Sequence, residues 1–163
     1  LIVRYPASIK AGTVNEELVS NVDFAPTLLE FAGIKAEPRM QGRSIAPLLA
    51  GRTPADWRQA IWYAYGAAGH PHWGMRSKRY KLVLFPGTED FEFYDLQKDP
   101  REMTNLAGVT DYTAAIAEAR RTVEALKLEV GIRPGHLPGK AGWPKAGAGE
   151  RKRNRKNRKQ ESN

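Results

Sequence analysis

The sequence predicts an α/β segment followed by an α+β unit: the end of a larger sheet, then a small four-stranded antiparallel sheet packed by a C-terminal helix. Three observations carry this. The chain opens on a near-continuous apolar run, "LIVRYP", of the kind found in a strand buried on both faces. Four short aromatic and β-branched segments follow between residues 60 and 96, divided by Gly- or charge-containing turns. A final segment, from about Asp111 to Val130, repeats its apolar residues at helical spacing.

A strand buried on both faces needs neighbours, so Leu1 to Tyr5 is expected to lie beside strands of a longer chain whose C-terminal part this is. "PASIKAGTV" is a turn bounded by Pro and Gly. "NEELVSNVDFAPTLLEFAGI" then carries Val22, Ala25, Leu28, Leu29 and Ala32 at three- and four-residue spacing, a helical stripe. Ser20 and Asp23 have the Ser-x-x-Asp spacing of a capping box, which gives Asp23 a structural task ahead of a metal or catalytic one. Pro26 places the start of the α-helix close to it, and Gly33 is expected to cap the end. A loop and a short helical turn around Ile45 to Ala50 complete the first part, residues 1–58.

The second part, residues 59–132, holds the predicted strands at 60–65, 72–77, 80–85 and 91–96. In the third of these Tyr80, Leu82 and Leu84 share one face and Lys81, Val83 and Phe85 the other, so neither face is plainly polar. A turn seeded by Asp99-Pro100 leads to the helix, whose stripe is Ile116, Ala119, Val123, Leu126 and Val130. It should lie across the sheet.

Charge is unevenly placed. Residues 133–163 carry ten Lys/Arg and two Glu, a net charge of +8 that equals the whole chain's, while residues 1–132 are balanced at 16 of each sign. The folded part therefore lacks the basic face expected of a nucleic-acid-binding domain. The tail, rich in Gly and Pro and then in Arg, Lys and Asn, has the composition of a disordered basic segment and makes at most a weak polyanion contact. No apolar run reaches the ~20 residues needed to span a bilayer, and the absence of Cys excludes disulfides and thiolate metal sites within these residues.

"LIVRYP", "LVSNVDFAPTLLEFAGI", "MQGRSIAPLL", "HWGMRSKRYKLVLF" and "FYDLQKDPREMTNLAG", in that order, resemble the C-terminal part of the sulfatase family. Within it the region resembles that of N-sulfoglucosamine sulfohydrolase. The resemblance covers residues 1 to 131 and not the tail. It implies an alkaline-phosphatase-like fold, with a large α/β catalytic domain upstream and a parent exported to the periplasm or beyond. It also implies hydrolysis of sulfate esters or sulfamates, probed by substrates from aryl sulfates to sulfated saccharides. In the family a formylglycine, made from a Cys/Ser-x-Pro-x-Arg motif, supplies the attacking oxygen beside a calcium ion held by Asp and Asn. This chain has no such motif and no Asp cluster beside an Asn. The resemblance thus places nucleophile, calcium and formylglycine outside the chain, transfers no catalytic residue to it, and implies that the chain alone is inactive.

His70 and His72 are the candidate substrate-binding residues. The loop before "GMRSKRYKL" sits, in related sulfatases, where the two domains meet, and a histidine pair two apart suits contact with a sulfate or a sugar hydroxyl but gives too few ligands for zinc. Arg76, Arg79 and Lys81 are expected to pair with carboxylates such as Glu92 or Asp95 across strands. Two functions follow: the C-terminal portion of a sulfatase acting on a sulfated saccharide, in partnership with the upstream catalytic domain; or a non-catalytic polyanion-binding module acting through its tail.

Overall fold

The structure is a computed structural model and describes residues 1–66, 70–133 and 137. The basic tail assigned to 133–163 lies, apart from Arg133 and Leu137, outside the described residues. Four strands, β1 (Ala60–Tyr65), β2 (His72–Ser77), β3 (Tyr80–Leu84) and β4 (Phe91–Asp95), form one antiparallel sheet in chain order. The register sets Trp62 opposite Met75, Met75 opposite Leu82, and Leu82 opposite Phe93. Side chains alternate across a strand, so these four share the face on which the core forms.

Helix α3 (Thr113–Glu129) covers that face. Its stripe of Ile116, Ala119 and Val123 closes on Met75, Leu82 and Phe93, and Leu126 packs at the margin, as its spacing predicts. Leu82, Phe93 and Val123 are wholly buried, and each such side chain stabilises the fold by about 1.5–3 kcal/mol. The opposite face holds a smaller cluster of Val83, Tyr94 and Leu96, with Tyr63 and Phe85 against it. Both faces are thus partly apolar, as the alternation in β3 indicates.

The segment after β4 explains the "YDLQKDPREMTNLAG" motif. Asn105 Oδ1 accepts the Phe93 N–H at 3.0 Å, and the Leu106 N–H donates to the Phe93 carbonyl at 2.8 Å. Residues 105 and 106 thereby satisfy the outer edge of β4, which would otherwise present unpaired backbone groups. Asp99 Oδ2 accepts the Thr104 N–H at 2.8 Å and closes the intervening loop. Glu102, at φ 57°, is the one described non-glycine residue with a left-handed backbone. That turn brings its carboxylate to Lys81 and Arg76.

The first part of the chain departs from its pattern. Leu1 to Tyr5 form no strand, have no ladder partner among the described residues and are exposed, Ile2 at 97 %. An apolar run becomes a strand through its neighbours, and these residues have none here. A 3₁₀ turn (Asn21–Asp23) leads into α1 (Phe24–Phe31), and Gly33, at φ 71°, ends it in a Schellman arrangement with the Ile34 N–H on the Leu29 carbonyl. The buried face of α1 is not the expected stripe. Val22 and Leu28 are exposed, whereas Pro26, Thr27 and the preceding Asp23 are buried. Thr27 donates its hydroxyl to the Asp23 carbonyl and accepts the Ile45 N–H, so α1 docks on the 43–45 loop through polar groups. Helix α2 (Ala46–Leu49) follows, and Ile45, Leu48 and Trp57 make a small core there.

Candidate functional site

The histidine edge lies at one end of the sheet. β2 begins at His72, directly opposite Tyr65 of β1. Because Tyr63, Tyr65, His72, Gly74 and Arg76 alternate onto the face away from α3, His72 is set among aromatic rings. Its centroid lies 5.2 Å from Tyr65, 6.1 Å from Tyr63 and 6.1 Å from Phe85. His70 precedes the strand and is exposed, with buried Pro71 between the two histidines. What joins them is backbone: His72 Nδ1 lies 2.9 Å from the His70 carbonyl oxygen.

Gly74, two residues along, makes this face flat. A Cβ there would fall 1.8 Å from the Leu82 carbonyl oxygen and 3.0 Å from Tyr63 Oη. The Tyr63 ring faces the glycine across the ladder, and its hydroxyl donates to the same carbonyl at 3.3 Å. Burial, reinforced by the nearby Glu102 and Glu92 carboxylates, pushes the Tyr63 phenol well above its ordinary value. Tyr94, also on this face, is pushed up to about 12 by burial and by its 2.9 Å hydrogen bond to Glu92. Both phenols are therefore held protonated as donors.

The basic residues of the stretch are committed to carboxylates. Arg79 pairs with buried Asp95, Nη2 to Oδ2 at 3.1 Å, as the sequence suggests. Burial pushes the Asp95 carboxyl up, but the hydrogen bonds and charge of Arg79 and the backbone N–H groups of Gln97 and Lys98 outweigh it and hold the group below its ordinary value. Lys81 and Arg76 do not reach Glu92 or Asp95; both pair with Glu102. Asp95 points to the α3 side of the sheet and Lys81 to the other, so they cannot meet. Glu102 arrives from the loop after β4, 21 residues from Lys81, where no strand pattern reveals it.

Asp23 serves structure. Wholly buried, it takes both Arg58 Nη atoms at 2.9 and 2.7 Å, the Ser20 N–H at 2.7 Å and the Arg43 N–H at 2.9 Å. Arg58 and Arg43 flank the Trp57 ring, their guanidinium carbons 5.2 and 5.0 Å from its centroid. The Ser20–Asp23 capping box is formed, with Asp23 accepting the Ser20 N–H, and the Ser20 hydroxyl also bonds Asn21. With the oxygens of Asp23 and Asp95 occupied by guanidinium and backbone N–H groups, neither suits an oxygen cage for calcium. Among the described residues no group of three or more His, Asp or Glu is placed to hold a metal.

Two grooves flank the sheet: one runs along β1 between Arg43, Arg58 and α3, the other beneath residues 1–18 near Ile61 and Arg76. Neither is lined by His70 or His72. His72 is four residues from Arg76 along an extended strand, ~13 Å, so the histidine edge stands apart from the second groove, while Tyr63, whose ring lies 6.1 Å from His72, lines the first. Aromatic residues framing one half-buried imidazole make a surface suited to hydrogen bonding and ring contact rather than to covalent chemistry.

Comparison with known proteins identifies the family. A family model described as N-sulphoglucosamine sulphohydrolase, C-terminal, matches residues 1–129. The N-acetylglucosamine-6-O-sulfatase of Bacteroides thetaiotaomicron is 42 % identical over 132 residues, 76 % of this chain and 24 % of that protein. A protein solved in complex with its substrate, D-glucosamine-2-N,6-O-disulfate, superposes with a TM-score of 0.76 at 38 % identity, covering 80 % of this chain and 28 % of that one. The phosphonate monoester hydrolase of Silicibacter pomeroyi superposes with a TM-score of 0.64 at 25 % identity over 74 % of this chain and 27 % of its own. The chain spans about a quarter of the length of these relatives. A sheet, a crossing helix and a motif-closed edge matched over residues 1–129 show that the chain belongs to the N-sulphoglucosamine sulphohydrolase C-terminal family, the C-terminal region of sulfatases.

Proposed function

We propose that the chain is the C-terminal portion of a sulfatase that hydrolyses a sulfate ester of a sulfated saccharide, with His70 and His72 on one wall of the substrate cleft. The observation that carries the reading is the family match over residues 1–129, together with relatives whose names specify sulfated sugars. The open, aromatic-framed histidine edge supports its second half. In the reading, nucleophile, calcium and formylglycine come from the upstream catalytic domain, because the two buried carboxylates of this chain, Asp23 and Asp95, are already engaged by arginines and backbone N–H groups. This chain's share is to complete the fold and to bind and orient sugar. No described helix is long and apolar enough to cross a membrane.

The test is sulfate release by the polypeptide that joins this chain to its upstream part, using glucosamine 6-sulfate and an aryl sulfate, beside residues 1–163 alone. Release is expected from the joined polypeptide and not from the isolated chain. Turnover by the isolated chain that survives repurification, or no release from any sulfated saccharide by the joined one, would overturn the reading. The polyanion-module alternative rests on the tail's charge alone, and heparin binding tests it separately.

A further inference from the structure

His72 has one hydrogen bond among the described residues, and its partner fixes which ring nitrogen carries the proton. Nδ1 sits 2.9 Å from the His70 carbonyl oxygen. A carbonyl only accepts, so Nδ1 must donate, and in the neutral ring Nε2 is left with a bare lone pair. The edge of the sheet thus presents an acceptor.

Its surroundings decide what an acceptor there can bind. Tyr65, directly opposite in register, lies tilted at 32° over the imidazole and is 51 % exposed. Phe85 and Tyr63 wall the ring on other sides, and the Tyr63 hydroxyl is engaged with the Leu82 carbonyl. The cations that share this face, Arg76 and Lys81, are paired with Glu102. A sulfate needs several donors or a cation close by, whereas the bare Nε2 lone pair repels its oxygens, and among the described residues Arg76 and the facing Lys81 sit ~13 Å along the strands from His72. A sugar ring has what the edge lacks: hydroxyl protons along its rim and an apolar C–H face that packs on an aromatic ring.

We infer that His72 and Tyr65 together bind an unsulfated part of the saccharide, with His72 Nε2 accepting a hydroxyl proton and the Tyr65 ring packing on the sugar's C–H face. This rests on the saccharide reading above and narrows it: the edge selects the sugar, not the sulfate. Tyr65 becomes a specificity-determining residue, and His70 acts on the substrate through the carbonyl that orients His72.

The experiment is long-range ¹⁵N–¹H correlation of the histidine rings in the joined polypeptide, titrated with N-acetylglucosamine and separately with inorganic sulfate. An Nδ1–H tautomer for His72 is expected, with Nε2 shifting on addition of the sugar and not of sulfate, and with Tyr65→Ala abolishing that shift. In kinetics, Tyr65→Ala and His72→Ala should lower the ratio of kcat/KM for the sulfated saccharide to that for an aryl sulfate by roughly 5- to 10-fold. Tyr65→Phe should keep the ratio, and His72→Gln, whose amide oxygen is an acceptor, should recover part of it. An Nε2–H tautomer, a shift driven by sulfate rather than sugar, or equal losses on both substrates would overturn the inference. Absence of saccharide turnover in the unaltered polypeptide would instead sink the functional reading and this inference with it.

Discussion

Replacing Asp23 by Asn keeps the shape of a wholly buried side chain and removes its charge. The carboxylate accepts four hydrogen bonds, two from Arg58 and one each from the Ser20 and Arg43 backbone N–H groups, all between 2.7 and 2.9 Å. An amide has one oxygen, so its NH₂ must face either the guanidinium or a backbone N–H, donor against donor. Arg58, whose side chain is 16 % exposed, then keeps its charge without a counterion. Breaking a buried pair from one side costs about 3–5 kcal/mol, against about 5–15 for a whole domain. Urea unfolding of the joined polypeptide should register that loss, and hydrogen exchange should localise it to the Ser20 and Arg43 amides. Arg58→Met leaves the carboxylate unpaired and should cost a similar amount. The double variant should cost clearly less than the sum, since it leaves no unmatched charge. A single-variant cost under about 1 kcal/mol, or strict additivity, would refute the claim that Asp23 and Arg58 stabilise the first part of the chain as a mutually dependent buried pair.

Gly74→Ala should lower stability by about 1–3 kcal/mol or more, because its Cβ meets the backbone of β3 rather than a movable side chain; an unchanged melting temperature would show that the strands part without cost. The Asp95 carboxyl is held below its ordinary value, so its contribution is fully present above the ordinary carboxylate range and is lost as pH falls through the lowered value. Asp95→Asn should therefore lower stability at neutral pH and flatten the acid limb of a stability–pH curve, and an unaltered limb would assign that limb to other groups. Deleting residues 133–163, which hold ten Lys/Arg, should abolish salt-sensitive binding to heparin; binding that persists would place the polyanion contact on the folded part.

The strands were legible almost residue for residue, because each is a short aromatic or β-branched run followed within two residues by a charge or a glycine. The stripe of α3 was equally plain, since Ile116, Ala119 and Val123 meet an apolar sheet face and nothing polar intervenes. The first part read less well for a physical reason: α1 docks by the Thr27 hydroxyl and Asp23 carboxylate, and a hydrophobic pattern scores those as surface. Leu1 to Tyr5 carry a strand's composition without a strand's neighbours. At the candidate site the two histidines stood out in the sequence, but the register that seats Tyr65 over His72 and the loop that returns Glu102 to Lys81 are products of folding. The tautomer of His72 depends on a single carbonyl, which no pattern of residue types encodes.

The sheet's strand order follows the chain, and that has a kinetic meaning. β2 and β3 are joined by two residues, Lys78 and Arg79, with the Ser77 hydroxyl accepting the Tyr80 N–H to shape the turn. Loops this short close at little entropic cost, so among the described strands the central hairpin is the cheapest pairing to form. Arg79 then bridges that turn to Asp95 and, through its carbonyl, to the Leu96 N–H, recruiting β4 onto the hairpin. Arg58 and Asp23, 35 residues apart, must wait for the ends of a much longer loop. Damage at Arg79 should accordingly slow refolding, whereas damage at Asp23 should leave refolding nearly unchanged and hasten unfolding. The two buried carboxylates, alike in a static view, would then guard opposite sides of the same barrier.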